Sequence, residues 1–170
     1  MADAKLVYLP AAAAMAGHAF QLAMCHIQSA GVRVAYNKDR PDAEKIKEPQ
    51  LTGDPKVDRA HRAAANRVEW SPVFFVLMGT SAVYFNPLAA GIAGAVYIKS
   101  THDYFHAYVE DAEKREDPMH TGVMALAALL VMSTLGLAHT GLKDGMDIDL
   151  LEKSGLRKLG AAVGKMITNN

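Results

Sequence analysis

The sequence predicts an all-α fold, a four-helix bundle set in a membrane, and three observations carry that expectation. Four apolar stretches, separated by polar breaks that carry proline, run through 170 residues of which 51% are hydrophobic. The last stretch, Gly122 to Leu142, has 21 residues and no charge, enough to span a bilayer as a helix. Alternating runs rich in Val, Ile and Thr are missing, so no sheet is expected. One domain over residues 1–170 follows from the length. A formal net charge of zero argues against a nucleic-acid partner. The single Cys25 excludes a disulfide framework within one chain and supplies no zinc cluster.

The first helix is expected over about residues 6–34. Its start, Tyr8 to Gly17 behind Lys5, looks like the apolar core of a signal peptide. The helical pattern continues through His18, Gln21, Cys25, His26 and Gln28, so a retained helix is the preferred reading. Residues 37–54 form a charged loop punctuated by Pro41, Pro49 and Gly53. The second helix is expected over 55–85, kinked at Pro72, which removes a backbone donor and crowds the preceding turn. Asn86-Pro87 is a tight turn. The third helix is expected over 88–115, broken by Asp117-Pro118, and the fourth over 122–142. The polar tail covers 143–170 and is amphipathic at best over 147–166, with Ile148, Leu151, Leu159 and Val163 at helical spacing.

Short connections after the second and third helices give an antiparallel bundle. Loop one, residues 31–60, holds seven Lys and Arg, the tail five, and the turn at 86–87 none. That bias places loops one and three in the cytoplasm, and with them the polar halves of helices two and three.

Those polar halves hold the candidate chemistry. Arg62, Asn66 and Glu69 sit at i, i+4 and i+7, one stripe of the second helix just ahead of the apolar run from Trp70. Inside an apolar layer such groups need partners or a ligand. A solvated first turn is the plainer alternative. On the third helix Tyr104, Tyr108 and Arg115 sit at i, i+4 and i+11, nearly whole turns apart, so all three are expected to point the same way. Facing the first stripe, they make a pocket for a small zwitterionic or anionic ligand, where a guanidinium favours a thiolate over a thiol. An interfacial aromatic belt with a snorkelling arginine is the alternative. His102 and His106, one turn apart with an acid between, faintly resemble a zinc-protease helix, but the acid is Asp103 and no third ligand is evident. Cys25, mid-helix in apolar company, suits an inert buried thiol.

Val57 to Pro72 resembles the signature of the MAPEG family, the membrane-associated proteins of eicosanoid and glutathione metabolism. Pro49 to Pro55 is similar to the family's loop ahead of helix two, and Tyr104 to Arg115 follows its helix three. The resemblance covers residues 49–158 well and the first helix weakly. It implies a homotrimer of four-helix subunits in the endoplasmic reticulum or another intracellular membrane, the mitochondrial included. Glutathione, as co-substrate, would bind between subunits on the cytoplasmic side. By the same resemblance Arg62 pairs with a glutathione carboxylate, Asn66 and Glu69 hold the γ-glutamyl end, and Tyr104 and Tyr108 line the peptide. Arg115 stabilises the thiolate, and Trp70 stands where relatives carry a phenol or Phe. The implied activity is a glutathione transferase acting on lipophilic electrophiles, with peroxidase activity toward lipid hydroperoxides as related chemistry. The alternative is a non-catalytic lipid-binding protein or an accessory subunit of a larger membrane complex. Ala64 stands where the family pattern has Gln, Thr101 where it has Arg, and Gly31-Val32 where it has a basic pair. Loop one is about ten residues longer than in relatives.

Overall fold

The computed structural model describes residues 4–47, 53–146 and 148, and every regular element among them is helical. A single turn, α1 (Ala4–Val7), leads into four long helices: α2 (Leu9–Asn37), α3 (Pro55–Tyr84), α4 (Pro87–Glu110) and α5 (Glu116–Met146). Two 3-10 turns, Asp42–Glu44 and Glu113–Arg115, lie in the connections. α3 and α4 pack against each other, with α2 and α5 each packed on both.

Local chemistry explains where the helices start and stop. Asp54 caps α3, its carboxylate accepting from the Lys56 and Val57 amides at 3.1 and 3.0 Å. Asn86 does the same for α4, accepting from Leu88 and Ala89 at 3.0 and 2.9 Å. Each cap precedes a proline, Pro55 or Pro87, whose missing N–H costs nothing in a first turn. At the other end of α4 no basic residue sits in the last turn. Arg59 of α3 supplies the charge instead, donating from Nη2 to the Val109 and Glu110 carbonyls at 3.1 and 3.2 Å. The loop after α2 is tied back by Asn37, which exchanges two hydrogen bonds with the Ile46 backbone at 2.8 and 2.9 Å.

The interior separates into two clusters. One gathers Phe74, Met78, Ala90, Tyr97, Ala125 and Leu129, where the Phe74 and Tyr97 rings stack at 4.7 Å. The other gathers Cys25, Ala60, Ala63, Ala64, Tyr104, Phe105 and Tyr108. Between them lies a polar layer. His18 Nε2 lies 3.2 Å from the Ser71 hydroxyl, which itself donates to the Arg67 carbonyl, and Gln21 donates to the Ile98 carbonyl at 2.8 Å. At two crossings only glycine fits. A Cβ on Gly91 would stand 2.6 Å from the Pro10 Cβ, and one on Gly136 2.6 Å from the Tyr84 carbonyl oxygen.

Several expectations change. The first helix, expected over 6–34, is divided at Tyr8 ahead of Pro10 and runs to Asn37. α3, expected over 55–85, spans Pro55–Tyr84 with Pro72 inside it. The third helix ends at Glu110, not Arg115, and Asp117-Pro118 does not break it. That pair falls in the first turn of α5, where a proline's missing donor is harmless, so the fourth helix starts at Glu116 rather than 122. It also extends to Met146, past the expected end at 142. The tail expected to be amphipathic over 147–166 lies outside the described residues, Ile148 excepted.

Among the described residues one helix, Glu113–Met146, is long and apolar enough by composition to cross a membrane. Four such spans were expected. α2, α3 and α4 carry His18, Gln21, Arg62, Arg67, Glu69, Lys99 and Asp103, which lower their apolar character. Large apolar side chains are nonetheless exposed on every long helix: Phe20 on α2, Val76 on α3, Ile92 on α4 and Met124 on α5.

Candidate functional site

The site is built on α3 and α4. The buried face of α3 reads Ala60, Ala64, Arg67, Ser71, Phe74, Met78 and Ala82, spaced by three and four residues. Small residues in its first half let α4 approach closely enough for side chains to meet across the pair. Asn66 Nδ2 donates to the Tyr104 phenol oxygen at 3.2 Å. The Tyr104 and Tyr108 ring centroids are 5.6 Å apart, and the Arg115 guanidinium carbon lies 4.8 Å from the Tyr108 centroid. Asn66, Tyr104, Tyr108 and Arg115 therefore form one continuous line, ending at the connection between α4 and α5.

The line closes by a different route from the one the spacing predicts. Arg115 is not on the tyrosine stripe of a longer helix. It belongs to the turn Glu113–Arg115, and that turn carries it back over the Tyr108 face in a cation–π contact. Its neighbour Lys114 turns the other way, to the Glu110 carboxylate at 2.8 Å, so of the two adjacent cations Arg115 is the one aimed at the tyrosines.

A cavity of about 120 Å³ opens beside this line, and Asn66, Trp70 and Tyr104 line it. Tyr97 and Thr101 of α4 and Met119, Val123 and Leu126 of α5 complete much of the wall. The Thr101 hydroxyl does not face a ligand. It sits 2.9 Å from the Tyr97 carbonyl and 3.2 Å from the Gln21 side-chain oxygen, both acceptors. Arg62 and Glu69 do not reach the cavity wall. Both are exposed, and neither enters an ion pair among the described residues. Tyr108 is buried behind the cavity rather than in it, and Trp70 is half in the wall and 52% exposed. Ala64 is fully enclosed in the cluster around Cys25. His102 and His106, the pair expected at one-turn spacing, lie ring against ring at 4.6 Å.

One residue of the site was read from the sequence only as a cation that could stand in for a lost donor, alongside Arg33 and Lys99, and not as part of the site itself. Arg67, only 4% exposed, lines the same cavity and also a larger groove of about 840 Å³ between α2 and α4. The signal was in the sequence. In the buried stripe of α3 every other position from Ala60 to Ala82 is small or apolar, and Arg67 alone is charged. Attention to the outward stripe at 62, 66 and 69 concealed it.

Comparison with known proteins identifies the family. The profile of the MAPEG family matches residues 10–135. Microsomal glutathione S-transferase 2 of Bos taurus is 33% identical over 142 residues, covering 82% of this chain and 97% of that protein. The same enzyme of Homo sapiens gives the same figures. Leukotriene C4 synthase of Cavia porcellus is 37% identical over 98 residues, 57% of this chain and 65% of that protein. By the profile match and by the near full-length similarity, the chain belongs to the MAPEG family.

Proposed function

We propose that this protein is an integral-membrane glutathione transferase, multi-pass, working as a homotrimer. The observation that carries the reading is the unbroken line Asn66–Tyr104–Tyr108–Arg115 beside a cavity. A hydrogen-bonding amide and two phenols suit a peptide, and a guanidinium at the end of the line suits a thiolate. Two relatives in the same family are named glutathione S-transferase and leukotriene C4 synthase.

The size of the cavity supports a shared site. At about 120 Å³ it is well below the roughly 300–1,000 Å³ of ordinary small-molecule pockets, so this cavity by itself does not enclose a tripeptide. Arg62, Glu69 and Trp70 are exposed on the same α3 surface that presents Asn66, where a second copy would enclose the ligand against them. In that arrangement Arg62 takes a carboxylate and Glu69 the α-ammonium; neither has an ion-pair partner among the described residues. The exposed apolar residues on all four long helices would face lipid or a neighbouring subunit.

In the reaction, glutathione loses its thiol proton to solvent and the thiolate is held at Arg115. The sulfur then bonds to carbon of an apolar electrophile arriving from the bilayer, and the leaving group departs with the electron pair. Arg115 acts by lowering the free energy of the charged sulfur, an effect that is large in a dry site. Purified protein in mild detergent is expected to conjugate glutathione to an aryl halide and to run as a trimer by mass. A monomer with no conjugating activity would refute the reading. A second reading, a non-catalytic lipid-binding or accessory subunit, is favoured by Thr101, whose hydroxyl is turned inward, and by enclosed Ala64, since neither offers a donor to the peptide. Activity in that assay rules it out.

A further inference from the structure

Two histidines of α4 take no part in the site described above. His102 and His106 are one helical turn apart and both exposed, with ring centroids 4.6 Å apart and planes at 63°. They belong to the polar end of the helix. His106 precedes the last residue, Glu110, by one turn, about 6 Å along the axis. His102 faces away from the cavity: it lines the groove between α2 and α4, while Tyr104 lines the cavity beside α5. The neighbouring acids are already engaged. Asp103 holds Lys99 at 2.6 Å, and Glu110 holds Lys114 at 2.8 Å. The two imidazoles are not. Among the described residues His18 is the one histidine whose side chain makes a hydrogen bond, and these two rings contact only each other and, for His106, Phe105.

We propose that His102 and His106 form a water-exposed site for a divalent transition metal of tetragonal preference, the class of nickel(II) and copper(II). Imidazole nitrogen suits these ions, and two histidines at i and i+4 reach one ion from the same face of a helix. The separation of the rings selects the geometry. With metal–nitrogen bonds of about 2.0–2.1 Å, two imidazoles at a right angle on one ion place their ring centres about 4.5 Å apart, and at the tetrahedral angle about 5.2 Å. The observed 4.6 Å is close to the right-angled value, so chelation asks for rotation of the rings and no movement of the helix. Among the described residues no third His, Cys, Asp or Glu completes a cluster, so water fills the remaining positions. Two ligands make neither a closed structural zinc site nor the three-ligand site of a zinc hydrolase. The ion's effect is mechanical. It ties the turn of α4 that carries Tyr104, and so stabilises the helix on which the tyrosines stand. The proposal does not depend on the transferase reading, since neither histidine belongs to the line from Asn66 to Arg115.

Nickel(II) is the probe, because it stays in one oxidation state. Full-length protein without a polyhistidine tag, in mild detergent and free of glutathione, is titrated calorimetrically. Wild type is compared with His102→Asn, His106→Asn and His26→Asn, the last removing an exposed histidine of α2 that has no histidine one turn away. Wild type is expected to take one ion per chain. His102→Asn and His106→Asn are each expected to weaken binding at least tenfold, because losing either nitrogen opens the chelate, while His26→Asn stays within about twofold. Zinc(II), which favours tetrahedral ligands, is expected to bind wild type less tightly than nickel(II). Thermal unfolding followed by circular dichroism is expected to move to higher temperature with nickel(II) in wild type and in neither α4 variant. The proposal is overturned if wild type takes no nickel(II), or if His102→Asn or His106→Asn leaves the affinity unchanged. It is also overturned if His26→Asn weakens binding as much as they do, which would mean an adventitious surface ion only, or if zinc(II) binds the more tightly.

Discussion

The two ends of the bundle are built from the same four helices and do opposite things with them. Around Phe74, Met78 and Leu129 the interior is apolar and closed, and its few hydroxyls are turned onto carbonyls, as Ser81 is onto Leu129 at 2.8 Å. Around Arg67, Asn66 and Tyr104 the helices approach through alanines, a cavity remains, and cationic and phenolic groups line or adjoin it. One end holds the helices in register and the other uses the register. The difference goes with side-chain size along α3: alanines at 60, 63 and 64 are buried in close packing against Tyr104, Phe105 and Tyr108, while Phe74 and Met78 fill the interior with large side chains.

If that division is right, substitutions at the closed end should cost stability and spare binding. Phe74 is fully buried and stacked on Tyr97. Phe74→Ala is expected to destabilise the fold by about 3 kcal/mol, from lost packing and the cavity left behind. Denaturant unfolding followed by circular dichroism measures it. Glutathione affinity of the folded fraction should stay within about twofold. A large loss of affinity in a well-folded Phe74→Ala protein would mean that the two ends are one unit.

The converse applies at the other end. Arg115→Ala is expected to lower turnover about a hundredfold and to change glutathione affinity much less, because its assigned role is to the charged sulfur. The thiol of bound glutathione should also titrate at higher pH, since removing a neighbouring cation disfavours the thiolate. Rate and affinity falling together would reduce Arg115 to a docking charge. Unfolding free energy should barely move, because the cation–π contact to Tyr108 is worth only about 0.5–1 kcal/mol where it is partly exposed.

The hinge between these regimes is Arg59. It holds the last carbonyls of α4 and so fixes Tyr104 and Tyr108 opposite α3. Arg59→Ala is expected to cost about 2 kcal/mol, the scale of charged hydrogen bonds. It should also loosen the site, raising the KM for glutathione before global unfolding is seen. Stability lost with an unchanged KM would show that α4 keeps its register without the clamp.

How far the sequence carried the reading follows the same division. Four helices were legible because apolar periodicity and the caps at Asp54 and Asn86 are local signals. The meeting of Asn66 with Tyr104 was legible in outline, as two stripes that had to face each other. The end of α4 was not. Nothing local to residues 105–115 says that Arg59, fifty residues earlier, caps the helix at Glu110, nor that a 3-10 turn then carries Arg115 back over Tyr108. Arg67 was left out of the site for a different reason. The polar stripe at 62, 66 and 69 was read as the inner face, whereas Arg62 and Glu69 point outward and the charged residue inside is the one beside it.

The smallest expected effect is the one that best separates the two cations of the site. Thr101 offers its hydroxyl to the helix and to Gln21 rather than to the cavity. Thr101→Arg would place a donor fork on the cavity wall from the α4 side, opposite Asn66. A charge-assisted hydrogen bond contributes roughly 1.5–3 kcal/mol, and crowding by Arg67 in the same cavity offsets part of that, so glutathione affinity is expected to rise about tenfold. Calorimetry on Thr101→Arg, Arg67→Met and the double variant then forms a cycle. An Arg67 that takes no part in holding the peptide predicts that the gain from Thr101→Arg persists in the Arg67→Met background, and grows slightly because a like charge has gone. If the gain instead appears only when Arg67 is absent, the two arginines are substitutes for one another. Arg67 would then already be the peptide's partner, standing in for the donor that position 101 has lost.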